Sequence, residues 1–200
     1  MIAAALVRLI TGVQARWVGC LPEAKQRIYF GNHVSNLDGP VIWASLPDQL
    51  RSATRPVAAR DYWLASRLRR YVACTVLNAV LIERKHITAE NNPLRDMEAA
   101  IDVGNSLIIF PEGRRQDDED GGLLPFKPGI WHLAKRRPDV ELVPVHLENL
   151  NRIFPRGDFI YVPLIASATF GTPLHLEEGE DKLVFLERCR AAITALAEEA

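Results

Sequence analysis

In the stretch FGNHVSNLDGP, residues 30–40, a histidine and an aspartate stand five positions apart, His33 and Asp38, directly after a short apolar run. Imidazole is the side chain that most readily takes up and releases a proton near neutral pH. A carboxylate bonded to one ring nitrogen fixes the tautomer and leaves the other nitrogen free to take a proton from a hydroxyl. Two readings follow. Either Asp38 orients His33 as a general base, or Asn36 or Asp38 caps a helix over GPVIWASLP by accepting its first backbone amides. Spacing alone leaves both open.

The chain supplies no partner nucleophile. It has no GxSxG elbow, and no cysteine lies near a matching histidine in sequence, so direct attack by a substrate hydroxyl is more economical than a covalent acyl-enzyme. His33 and Asp38 also lack a second cluster of ligand side chains at recognisable spacing, and no metal is expected. What accompanies the pair is basic. FPEGRR, residues 110–115, contains Gly113, which permits a tight backbone approach, and then Arg114 and Arg115, whose forked donors suit phosphate oxygens. FKPG adds Lys127, and Arg84 and Lys85 follow the run AVLI. Any one of these cations reads equally well as half of a surface salt bridge. Three basic sites after separate strands read as an anion site. Of the other histidines, His146 ends a strand, while His86, His132 and His175 read as structural or exposed.

Positioning such groups requires a scaffold, and the pattern of the chain provides one. β-like runs (RIYF, PVIWASLP, TRPVAA, AVLIE, SLIIF, LVPVHL, LIASATFG) alternate with helical stretches (DYWLASRLRRYVAC, PLRDMEAAIDVG, GIWHLAKRR). That alternation predicts a single α/β domain over 21–200, with a mixed, mostly parallel central sheet flanked by helices and closed by an amphipathic C-terminal helix. In open sheets of this kind the ligand crevice lies beyond the carboxyl ends of the strands. His33, Asp38, Arg84, Glu112, Arg115 and His146 all follow strands, so they are expected to converge. Residues 1–20 read as an amphipathic helix with Ile2, Leu6, Leu9, Ile10, Val13 and Trp17 on one stripe and Arg8, Thr11, Gly12 and Ala15 opposite. The stripe either packs on the domain or lies in a membrane interface.

The totals bound the partners. A net charge of -1 argues against a nucleic-acid binder, which needs a large basic excess. The charge is unevenly spread: from Arg51 to Lys85 there are eight basic residues and two acidic ones, while DDED at 117–120 is acidic. This suits an anionic surface or an anionic substrate, or else a solvated face. The three cysteines form no CxxC pair, which fits a reducing compartment without a disulfide framework. Arg8 interrupts the apolar start, against a signal peptide, and no uncharged apolar stretch reaches the ~18–20 residues of a membrane-spanning helix.

The blocks NHVSNLD, AVLIERK, FPEGRR and LVPVH, in that order and with FKPGIWHLA between the last two, resemble the blocks of phospholipid-synthesis acyltransferases of the lysophosphatidate (1-acylglycerol-3-phosphate) acyltransferase type, which carry an HxxxxD motif. The ordered set is specific where HxxxxD alone is weak, and it covers about residues 32–146. The resemblance implies a glycerol-3-phosphate acyltransferase-like fold and transfer of a fatty acyl group from acyl-CoA or acyl carrier protein, as co-substrate and without a cofactor, to the free hydroxyl of lysophosphatidate. His33 would be the general base and Asp38 its orienting partner. Arg84, Glu112, Gly113, Arg114, Arg115 and Lys127 would shape the site for the phosphate. The enzyme would work peripherally on the cytoplasmic side of a membrane. Two departures stand out: Arg114 replaces the family's usual threonine, and the long hydrophobic N-terminal segment of many relatives is missing. The competing expectations are another lysophospholipid or aminolipid as acceptor, and a hydrolase or non-catalytic lipid binder that keeps the pocket.

Overall fold

The structure, a computed structural model, describes residues 2–84, 87–88, 91–116, 122–150 and 165–198. Lys85, His86, the DDED run and residues 151–164, with the apolar FIYVPL, lie outside the described residues. Among the described residues, seven strands form one sheet: β1 (Gln14–Trp17), β2 (Arg27–Gly31), β3 (Thr54–Ala59), β4 (Val80–Ile82), β5 (Ser106–Ile109), β6 (Glu141–Glu148) and β7 (Ser167–Phe170), in the order β1-β7-β6-β2-β5-β3-β4. Every pairing is parallel except β6 with β7. Hence β2, β3, β4, β5 and β6 all end at the same edge. The expected mixed, mostly parallel α/β domain is what the chain forms.

The middle strands explain themselves. RIYFG and SLII are buried at every position, as strands covered by helices on both faces must be. Their side chains alternate between two cores. Tyr29, Ile108, Val143 and Val145 enter one, with helices α1 (Ile2–Thr11) and α2 (Asp38–Ser45) and the stretch Ala73–Leu77. Ile28, Phe30, Leu107, Ile109 and Leu142 enter the other. The second core is covered by α6 (Pro93–Asp102), α7 (Gly129–Arg136) and the C-terminal α8 (Lys182–Glu198). Three short helices join the elements between β3 and its neighbours: α3 (Asp48–Ser52), α4 (Arg60–Trp63) and α5 (Arg67–Tyr71), the last running into a π turn, Val72–Val76.

Three local expectations are corrected. PVIWASLP, counted among the β-like runs, is helical as α2, because an apolar segment of this length buried on all sides carries no period that tells strand from helix. The N-terminal helix does not extend over 1–20. It stops at Thr11, where Gly12 takes φ +59° and donates its N–H back to the Arg8 carbonyl at 2.8 Å, and Gln14–Trp17 becomes an edge strand on β7. The face of α1 turned inward is also not the apolar stripe. Ala4 and Thr11 are buried and Arg8 donates from Nε to the Ala44 carbonyl at 2.7 Å, whereas Ile2 is 87% and Leu9 79% exposed.

Candidate active site

At the common edge of the parallel strands, β2 ends at Gly31 and the chain turns through His33 into α2. His33 Nδ1 lies 2.7 Å from Asp38 Oδ2. The same oxygen accepts the backbone N–H of Val34 at 2.7 Å and of Ser35 at 2.8 Å. Two backbone N–H groups already mark this oxygen as an acceptor, so the short Nδ1 contact is assigned to an Nδ1–H donor, the tautomer that leaves the lone pair on Nε2. The capping alternative is corrected: α2 has no side-chain cap, and Asp38 turns back onto the loop and the imidazole. Asp38 is fully buried, and its Oδ1 has no partner among the described residues. Burial pushes its carboxyl upward from the ordinary value, against the pull of the His33 contact and the amides of Ser35 and Val34. The ring of His33 stacks on Phe110, with centroids 4.5 Å apart, and retains 23% exposure. One face of the imidazole is thus braced by an aromatic ring while the side chain keeps partial access to solvent.

Glu112 lies under this loop. Only 3% exposed, it accepts from the His33 backbone N–H through Oε1 at 2.7 Å, from Leu124 N–H through Oε2 at 3.0 Å and from Gln116 Nε2 at 2.9 Å. Gln116 completes the tie by donating its own backbone N–H to the His33 carbonyl at 2.7 Å. The carboxylate is saturated with neutral donors, so Glu112 shapes the site by holding the His33 loop to the segment after β5. Gly113 follows with φ +70°, a left-handed conformation that glycine adopts freely. A Cβ there would come within 2.5 Å of Lys127 Nζ, so the lysine lies directly over the glycine.

The cations divide by strand. Arg115, half-exposed, and Lys127, exposed, belong to segments after β5, the immediate neighbour of β2, and neither side chain has an ion-pair partner among the described residues. Arg114 is exposed and donates from Nη1 to the Arg115 carbonyl at 3.2 Å. Arg84 follows β4, three strands from β2, which at the usual strand spacing is roughly 14 Å away. Its guanidinium Nη2 is held by Asp61 at 3.0 Å and 3.1 Å. The segments of His33, Asp38, Glu112, Gly113, Arg115 and Lys127 come together; Arg84 stands at the far side of the same edge. Among the described residues, no group of three or more His, Cys, Asp or Glu side chains is placed to hold a metal ion.

A sequence model of the acyltransferase family matches residues 18–148, which include the dyad, Arg84, the Glu112 tie, Arg115 and Lys127. The chain belongs to the acyltransferase family. Its curated relatives carry the name 1-acyl-sn-glycerol-3-phosphate acyltransferase. The protein of Limnanthes douglasii is 28% identical over 86% of this chain and 59% of its own length. The alpha form of Mus musculus is 25% identical over 73% of this chain and 48% of its own. That of Haemophilus influenzae is 26% identical over 67% and 59%. The chain thus spans about three fifths or less of the relatives it matches. The crystal structure of the 1-acyl-sn-glycerophosphate (LPA) acyltransferase PlsC from Thermotoga maritima shares the fold, with a TM-score of 0.73 at 19% identity, over 98% of this chain and 78% of that one.

Within this member of the family, three residues near the dyad were not singled out by the sequence pattern. Phe110 and Gln116 flank the charged run PEGRR, and neither side chain carries a charge that marks it out. Asn32, buried, locks β2 to β6 by donating from Nδ2 to the Leu147 carbonyl and accepting its N–H. His146, at the end of β6, lines a cavity of about 220 Å³ together with Asn32, Gln116, Leu123, Ile193 and Ala197. Its Nδ1 is buried without a partner among the described residues, and burial holds its imidazole below the ordinary value.

Proposed function

We propose that this acyltransferase moves a fatty acyl group from acyl-CoA or acyl carrier protein to the free hydroxyl of lysophosphatidate, forming phosphatidate for phospholipid synthesis. The observation that carries the reading is the His33–Asp38 pair: a buried carboxylate on Nδ1 of an imidazole that keeps 23% exposure just after β2 ends. Nε2 takes the hydroxyl proton as the oxygen attacks the thioester carbonyl. The tetrahedral oxyanion then collapses, the C–S bond breaks and the thiolate departs. Asp38 stabilises the imidazolium formed on the way. The phosphate is gripped by Arg115 and Lys127, beside the dyad, with Arg84 available to a group extending along the edge toward β4. The cavity beside Asn32 and Gln116 offers largely apolar space for part of a fatty chain.

No described helix is long and apolar enough to cross a membrane. The outward stripe of α1 supports peripheral contact with the cytoplasmic side of a bilayer, where the acceptor resides: Ile2, Leu6 and Leu9 are 87%, 53% and 79% exposed.

The test is an assay of the purified protein with lysophosphatidate, glycerol 3-phosphate and a neutral lysolipid, each with acyl-CoA or acyl carrier protein. Lysophosphatidate is expected to turn over fastest, and His33→Ala to lower kcat by about 10²–10⁴-fold with the fold intact. Arg115→Ala is expected to raise KM for lysophosphatidate and leave that for the neutral lysolipid unchanged. A His33→Ala enzyme that keeps its rate, or an Arg115→Ala loss shared equally by the neutral acceptor, defeats the assignment.

A further inference from the structure

The chain from Ala65 to Asn78 holds three arginines and no acidic residue. It is continuous helix from Arg67 through the π turn to Val76, started by Ser66, whose Oγ accepts the Arg69 N–H at 3.3 Å. Its inner side is Val72, Ala73, Val76 and Leu77, packed into the core that α1 and α2 share. Its outer side is unusual for a soluble surface: Leu68 is 74% and Tyr71 58% exposed, with Cys74 and Thr75 exposed one turn on. Leu68, Tyr71 and Thr75 follow the i, i+3, i+7 spacing of a helical stripe. Arg67 and Arg70 flank it, exposed and without ion-pair partners among the described residues, and the Arg69 guanidinium stacks 4.3 Å over the Tyr62 ring.

We infer that this outer face is a docking surface for an anionic phospholipid bilayer, a second contact in addition to α1. The inference rests on the membrane-surface reading above and adds to it the element and the lipid charge. Leu68 and Tyr71 enter the interface, and Arg67 and Arg70 meet the headgroup phosphates. Charge selects the occupant. A second copy of this chain docked about a two-fold axis would set arginines against arginines, and a bare phosphate backbone gives an exposed leucine nothing to bury in. The outward stripe of α1 belongs to the same helical layer, so both apolar surfaces lie on one side of the sheet.

Flotation with vesicles of phosphatidylglycerol and phosphatidylcholine, against phosphatidylcholine alone, tests this on the whole chain. The double variants Arg67→Glu/Arg70→Glu and Leu68→Ser/Tyr71→Ser are compared with wild type. Wild type is expected to bind the anionic vesicles preferentially, and the charge reversal to weaken that binding by at least ~25-fold, about fivefold for each basic residue at a charged surface. The apolar pair is expected to lose at least about fivefold. A polarity-sensitive dye on Cys74, the exposed one of three cysteines, should shift to the blue with anionic vesicles only. Turnover of a dispersed short-chain lysophosphatidate in the absence of vesicles is expected to be unchanged in both variants, and its loss in His33→Ala alone keeps failure of the chemistry separate from failure of docking. Anionic-vesicle binding within twofold of wild type in either variant overturns the proposal. So does a vesicle-free dimer that Leu68→Ser/Tyr71→Ser dissolves.

Discussion

Glu112 gives the sharpest test of how this site is built. A glutamate in a phosphate-binding block invites the thought that it touches the acceptor, yet its oxygens are filled by His33 N–H, Leu124 N–H and the Gln116 amide, at 3% exposure. Glu112→Ala removes the acceptor from two backbone N–H groups that have little access to water. Each such bare donor costs roughly 1–3 kcal/mol, and water entering the vacated space relieves part of it, so a loss of about 2–4 kcal/mol is expected. For a domain of this size that corresponds to a fall in Tm of roughly 5–15 °C. Glu112→Gln keeps one oxygen and turns an NH2 on either His33 N–H or Leu124 N–H, so it should fall about midway. Because the tie runs through the His33 backbone, the ring shifts when the tie is lost, and a misplacement of about 1 Å lowers kcat by about 10²-fold. Thermal unfolding by circular dichroism and steady-state kinetics with lysophosphatidate read the two effects. A Glu112→Ala protein that melts within about 1 °C of wild type, keeps kcat and raises KM for the acceptor tenfold would show that the carboxylate contacts substrate and that the tie is incidental.

Two further perturbations probe the neighbours of that tie. Gly113→Ala places a methyl in a left-handed backbone position, at about 1–2 kcal/mol, and against the Lys127 side chain; Tm should drop a few degrees and KM for lysophosphatidate should rise with that for acyl-CoA unchanged, and equal changes in both KM values would remove Lys127 from the phosphate site. His146 is held by burial below its ordinary value of 6.5, so below that pH the unfolded chain binds a proton that the folded chain resists. Stability is therefore complete above pH 6.5 and declines as pH falls from there toward the lowered folded value. His146→Leu should flatten the decline between pH 7 and 5 in urea titrations, and an unchanged slope would show that His146 is not its source.

The sequence was most legible where a residue's neighbours are dictated by the strand that carries it. Central parallel strands are buried on both faces and read as apolar runs, and their shared direction sends every following loop to one edge. The meeting of His33, Asp38 and FPEGRR could therefore be expected before any coordinates, whereas Arg84 was expected near them and lies three strands off, because strand order is set by pairing that no single strand announces. Edge elements were poorly legible for the converse reason. QARW has little β preference, and its strand exists because β7 offers it a partner. The apolar stripe of α1 could be seen, but its direction could not: the helix packs through Ala3, Ala4, Val7 and Thr11, the exposed Arg8 ties it to the carbonyl oxygens at the end of α2, and Ile2, Leu6 and Leu9 are left in solvent. Such an arrangement runs against hydrophobic burial unless something apolar meets the stripe. Around Glu112 the converse choice is made. There a charge is buried and answered entirely by neutral N–H donors, which spend their only hydrogen bonds on fixing one loop. The two choices are opposite in kind: leucine is left in solvent on α1, while a glutamate is buried beneath the His33 loop and fixes the placement of one imidazole.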